Sequence, residues 1–177
     1  DSKEEEVFDD KSVQAITKAC VEMGKAKTGA LIVMERQVGL GEYERPGIPI
    51  DSKITSQLLI NIFEHNTPLH DGAVLIRNNR IVSATCYLPL TDSLEIGKEL
   101  GTRHRAAIGI SEVSDSITIV VSEETGGISI ARGGKLYRNL NAESLKKYLQ
   151  ILKNTNSDSK IFKLWKGRGK NETKTHE

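Results

Sequence analysis

Two runs of apolar residues constrain the fold of this chain more than any other feature: Ala30-Leu31-Ile32-Val33-Met34 and Ile117-Thr118-Ile119-Val120-Val121. Both have strand length, are rich in branched side chains and show no apolar–polar alternation. A strand of this kind has no face to offer to water, so it belongs in the covered interior of a sheet. Neither run is long enough to cross a bilayer.

The cover is legible around them. Over Val7–Lys27 the apolar positions Val13, Ile16, Cys20 and Met23 fall three or four apart, the period of an amphipathic helix, and Thr28-Gly29 ends it. Ile54, Leu58 and Ile62 predict a second helix that stops before Asn66-Thr67-Pro68. A third follows Gly101, with Thr102 as its expected N-cap, and Ala142–Leu152 closes the pattern through Leu145, Leu149 and Leu152. Ala73–Ile76 and Ile81–Tyr87, joined by Asn78-Asn79, read as a hairpin; Ile128–Ala131 and Leu136–Tyr137 read as short strands. Gly39–Pro49, with three glycines and two prolines, reads as a loop. The expectation is an α/β fold: one domain, a mixed central β-sheet flanked by helices.

With 37% hydrophobic and 28% charged residues the chain is not disordered. A net charge of +1, 5% aromatics and no basic stripe speak against a nucleic-acid partner. Cys20 and Cys86 lie far apart without metal-type spacing, which excludes a disulfide scaffold and makes a reduced intracellular setting the expectation. The start at Asp1, without a signal peptide, suggests a piece of a longer protein. Residues 1–152 are expected to form the domain. Residues 153–177, with seven Lys/Arg against three Asp/Glu, are expected to be a basic, solvated tail.

Three polar clusters interrupt the apolar pattern beside strands or at a helix start, where α/β proteins build sites. In His70-Asp71-Gly72-Ala73, the glycine permits close backbone approach and Asp71 offers a carboxylate; an ordinary Asp-Gly turn has the same residues. Gly101-Thr102-Arg103-His104-Arg105 combines fixed charge, planar donors and open backbone N–H groups, a set suited to a polyphosphate. Pairing of its arginines with Glu95 and Glu99 on the surface explains them equally well. In Ser122-Glu123-Glu124-Thr125-Gly126-Gly127, paired acids precede a double glycine and suit either a divalent metal or a charged turn. Gly39-Leu40-Gly41 precedes no helical pattern in the sequence and so does not read as a dinucleotide loop, no phosphate-loop motif occurs, His65 and His70 lack zincin spacing, and Ser122 has no nucleophile elbow.

Together these clusters resemble the diadenylate cyclase (DAC) domain family. Thr28-Gly29-Ala30-Leu31-Ile32 and Cys86-Tyr87-Leu88-Pro89-Leu90 extend the likeness over the span from Val13 to Leu152. The similarity is greatest to the family's membrane-anchored bacterial branch, which implies a soluble catalytic piece at the cytoplasmic face of the membrane, joined to it through a preceding segment. It also implies condensation of two ATP into cyclic di-AMP with release of two pyrophosphates. Asp71 would assist the 3′-hydroxyl, with Gly72 and Ala73 bringing backbone close to the ribose and phosphates. Gly101, Thr102, Arg103 and Arg105 would bind the phosphates, His104 would orient them or help the leaving group, and Ser122 and Glu123 would add contacts. Leu31, Tyr87 and Leu88 would sandwich the adenine, although core packing accounts for each of them as well. Glu124, with His70, would hold Mg²⁺ or Mn²⁺. The resemblance further implies a catalytic homodimer, and a membrane regulator and a sugar-phosphate mutase as partners. Two other readings remain at this point: a non-catalytic sensor of ATP or cyclic di-AMP, and a metal-dependent phosphohydrolase.

Overall fold

The computed structural model describes residues 8–153; of the tail expected over 153–177, all but Lys153 lies outside the described residues. In chain order the elements are α1 (Asp10–Ala26), β1 (Ala30–Met34), α2 (Gly41–Glu44), β2 (Ile48–Lys53), α3 (Ser56–Phe63), β3 (Ala73–Arg77) and β4 (Arg80–Cys86). There follow α4 (Thr102–Val113), β5 (Ile117–Val121), β6 (Ile128–Arg132), β7 (Lys135–Leu140) and α5 (Ala142–Leu149), with a 3₁₀ turn over Gln150–Lys153.

The strands form one mixed sheet of seven in the order β2-β4-β3-β1-β5-β6-β7. β1 and β3 run parallel, and the other pairings are antiparallel. The two apolar runs, β1 and β5, are neighbours at its centre, and every residue of both is buried. Period-two alternation sends their side chains into two layers. Ala30, Ile32, Met34, Ile119 and Val121 meet Ile16, Cys20, Leu59, Ile62, Leu145 and Leu149 of α1, α3 and α5. Leu31, Val33 and Val120 join Leu40, Leu88, Ala107 and Ile110 in the layer that contains α4. Among the described residues, no helix is long and apolar enough to cross a membrane.

Helix starts follow the capping chemistry of their sequences. Asp9 accepts from the backbone N–H of Ser12 at 2.9 Å, Thr55 from Leu58 at 3.1 Å, and Asn141 and Ser144 cap α5 reciprocally. The third helix differs from expectation: Gly101, not Thr102, is its N-cap, and no side chain occupies its first-turn N–H groups. The segment read as a loop over Gly39–Pro49 contains α2 and the start of β2. β2 is an edge strand carrying Pro49 and mostly exposed, with Ile50 packed against the core, too short an apolar pattern for periodicity to reveal. The stretch before it is tied down by ion pairs, Arg77 reaching Glu35 at 2.6 Å and also Glu44. Lys153 ends the 3₁₀ turn and pairs with Asp10.

Candidate active site

Register places the polar clusters together. Ala30 of β1 pairs with Val121 of antiparallel β5, and Ile32 with Val74 of parallel β3. The start of β1, the start of β3 and the end of β5 therefore share one edge, which brings Asp71-Gly72 beside Ser122-Glu123-Glu124. The N-terminus of α4 adds Gly101–His104. These segments surround a cavity of about 380 Å³ lined by Leu31, Asp71, Gly72, Tyr87, Leu88, Gly101–His104 and Ser122–Glu124, together with Leu90, Glu99, Ala106 and Val121.

Each wall has a local cause. Gly72 adopts φ +71°, and a Cβ there would sit 3.0 Å from the Cys86 carbonyl oxygen, so only glycine lets the Asp71 turn lie against the end of β4. The β3–β4 register shifts between Ala73 and Leu75, and Thr85 takes φ +54°; this bulge carries the chain into Tyr87-Leu88. Tyr87 is 68% exposed on the rim and Leu88 8% exposed on the wall. The 87–91 segment is held to α4 by the bond from Thr91 N–H to the Arg105 carbonyl, 3.0 Å, and by close contact of Pro89 with Gly109.

Ser122 organises the acidic turn, its hydroxyl oxygen accepting from the N–H groups of Glu124 (3.3 Å) and Thr125 (3.2 Å). Gly126, at φ +74°, lets this turn dock on the backbone of Gly24 in α1. Arg103 Nη1 stands 3.4 Å from Glu123 Oε2, so two predicted groups meet, while Glu99 pairs with Arg138 at 3.4 Å. The alternative pairing of the cluster's arginines with Glu95 and Glu99 is therefore not what forms. The His104 imidazole is nearly buried. Burial, then the charges of Arg138 and Arg103, push its pKa below the ordinary histidine value, against a smaller opposite pull from Glu124. It is thus neutral near pH 7 and able both to donate and to accept. A polyphosphate placed beside it would favour its protonated form.

Three expected site residues do not line the cavity. The Ala73 side chain is buried in the α4-side core with Leu75 and Cys86, because Ala73 is already the first residue of β3. Arg105 does not line the cavity, although His104 and Ala106 on either side of it do, and it contributes its carbonyl to the 87–91 segment. His70 Nδ1 sits 2.7 Å from the Thr67 carbonyl oxygen, an acceptor, so Nδ1 bears the proton; Nε2 is then free for a ligand and stands 3.4 Å from Asp71 Oδ1. Among the described residues, no three His, Cys, Asp or Glu side chains converge as a metal cage. The donors present, carboxylates of Asp71 and Glu124 on the cavity and the His70 nitrogen behind Asp71, fit a hard cation that takes its remaining ligands from phosphates and water. Leu90, Glu99, Ala106 and Val121 were not expected in the lining. Leu90 and Glu99 sit in the irregular 87–101 stretch, which has no period to reveal them, and Ala106 and Val121 read simply as core.

The family model described as DisA bacterial checkpoint controller nucleotide-binding matches residues 17–136. The chain is 56% identical over 160 residues to the cyclic di-AMP synthase CdaA of Bacillus subtilis, covering 89% of this chain and 59% of that protein. It is 56% identical over 162 residues to a diadenylate cyclase of Listeria monocytogenes, covering 90% and 59%. The chain thus spans about three fifths of the length of these curated relatives. Among solved structures it is similar to a double mutant of DacA from Staphylococcus aureus, with TM-score 0.77 and 52% identity over 78% of this chain and 93% of that one. A structure described as a hypothetical membrane spanning protein from Bacillus cereus gives TM-score 0.70 and 50% identity, covering 73% and 63%.

Proposed function

This chain belongs to the DAC family of nucleotide-binding domains, and on that premise we propose that it condenses two ATP into cyclic di-AMP and two pyrophosphates. The observation that supports this reading best is the cavity at the polar clusters. It brings a carboxylate, a glycine-lined backbone approach, the open N-terminus of a twelve-residue helix and an arginine to one place. Its volume suits one nucleotide.

Adenine would lie between Leu31, Leu88 and Tyr87, whose exposed ring offers a face to the base. The triphosphate would run toward Thr102 and Arg103, where the free first-turn N–H groups of α4 and the guanidinium supply donors and positive charge. Asp71 would then stand by the ribose and accept the 3′-hydroxyl proton as that oxygen attacks an α-phosphorus; the P–O bond to pyrophosphate breaks in the same displacement. His104 would donate a hydrogen bond toward the departing pyrophosphate. A Mg²⁺ or Mn²⁺ ion held by Glu124 or Asp71, with His70 Nε2, would neutralise phosphate charge and acidify the hydroxyl.

One bound nucleotide cannot close a ring of two. Two copies must face each other so that each ATP supplies the nucleophile for the other, an isologous pairing with two-fold symmetry. The likeness to a membrane spanning relative supports anchoring at the cytoplasmic face of a membrane. The experiment is incubation of the chain with ATP and Mg²⁺ or Mn²⁺, resolving products by chromatography and mass. Cyclic di-AMP with twice its amount of pyrophosphate is expected, lost on chelation and falling per enzyme on dilution. ADP, AMP or phosphate alone would replace the reading with a phosphohydrolase. ATP bound but unchanged at high protein concentration would replace it with a sensor.

A further inference from the structure

We infer that Gly29 is a positioning residue for Arg103. An ideal Cβ built at Gly29 would lie 2.5 Å from both Cζ and Nη1 of Arg103 and 3.0 Å from Nη2. The planar guanidinium therefore occupies the space that any other residue at this position would fill, seated on bare backbone between the end of α1 and the start of β1. From this seat it reaches Glu123 Oε2 at 3.4 Å and lines the cavity. Arg103 comes from the first turn of α4, so without this seat its long side chain would have several rotamers open to it and would lose entropy on gripping a phosphate. A flat floor against the guanidinium plane removes that freedom before the ligand arrives.

What gives way on substitution separates this position from the other crowded glycines. At Gly24 and Gly126 the opposing atoms are backbone, Gly126 O at 2.7 Å and Gly24 O at 2.1 Å. At Gly29 the opposing atoms are the far end of a flexible side chain, and no left-handed φ is required there. Gly29→Ala is therefore relieved by moving Arg103, at small cost to the fold and large cost to the grip on phosphate.

The inference rests on the proposed reading of the cavity as an ATP site, and the test keeps the two apart by measuring binding. The probe is α,β-methylene-ATP with Mg²⁺, which cannot release pyrophosphate. Four chains are titrated: the parent, Gly29→Ala, Arg103→Ala and the double variant. Calorimetric Tm is measured alongside, with Gly39→Ala, whose added methyl meets nothing within 4 Å, as control. Gly29→Ala should weaken binding about tenfold with little change in Tm, since charge-assisted hydrogen bonds to phosphate are lost. In the Arg103→Ala background the same substitution should change binding by less than about twofold, because the two act as one unit. Equal weakening in both backgrounds, or no weakening in the parent, would overturn the role of Gly29, and so would a parent chain that does not bind the probe. A parent that binds the probe yet makes no cyclic di-AMP from ATP would defeat the cyclase reading and leave the Gly29–Arg103 comparison standing.

Discussion

Asp71→Asn is expected to leave the fold and nucleotide binding in place and to lower the proposed cyclic di-AMP formation by a factor of about 10² to 10⁴, the range spanned by loss of a positioned general base. The carboxylate is two-thirds exposed and its neighbour His70 Nε2, at 3.4 Å, makes no strong bond to it, so Tm should barely move. The amide keeps the shape and removes a negative charge beside the phosphates; affinity for ATP should hold or rise. Turnover is read by pyrophosphate release and affinity by titration with α,β-methylene-ATP. A variant that keeps more than a tenth of parental turnover would remove Asp71 from the chemistry. One that loses binding as well would make it a ligand contact instead.

The second large effect is on stability. Gly109 sits in the middle of α4 where the 87–91 segment crosses it, and a Cβ there would lie 1.8 Å from the Pro89 carbonyl oxygen and 2.9 Å from the Thr91 nitrogen. Both are backbone atoms, so α4 and the segment must separate. Overpacking of this kind costs about 3 kcal/mol, against roughly 1 kcal/mol gained from alanine's helix propensity. The net loss of about 2 kcal/mol corresponds to a fall in Tm of roughly 4–8 °C. Because the contact also sets Tyr87-Leu88 against Arg103-His104, the ATP analogue should bind more weakly in the variant than in the parent at 20 °C. Differential scanning calorimetry of Gly109→Ala beside Gly39→Ala gives the comparison. Equal Tm values would mean that the crossing is looser than the geometry states.

The central sheet and its helical cover could be read from the sequence because burial writes itself as pattern. Residues 30–34 and 117–121 have no polar face, and α1 and α5 carry apolar stripes at helical spacing. β2 escaped because an exposed edge strand containing Pro49 has neither signature; it is held by its ladder to β4, a long-range fact. The cap of α4 was misplaced by one residue because threonine is the better capping side chain, whereas Gly101 leaves the first-turn N–H groups free. For the site, the chemical types were legible in three clusters, and their convergence follows from β1 pairing parallel to β3 and antiparallel to β5. Hairpin and helix signals do not encode that arrangement. The supporting contacts were not legible at all. Gly29 beneath Arg103, Gly24 against Gly126 and Pro89 against Gly109 are close approaches between residues distant in sequence, visible only once the backbone is folded.

In the proposed reaction two nucleotides react with each other, and a mixture of ATP with 3′-deoxy-ATP tests this most directly. The 3′-hydroxyl of ATP can attack the α-phosphorus of the analogue, but the analogue has no hydroxyl with which to return the attack. Mass analysis should therefore find, beside cyclic di-AMP, a linear dinucleotide that keeps one 5′-triphosphate and ends in 3′-deoxyadenosine, with one pyrophosphate released for each. Products containing a single adenosine only, whether 3′,5′-cyclic AMP, ADP or AMP, would contradict the face-to-face condensation.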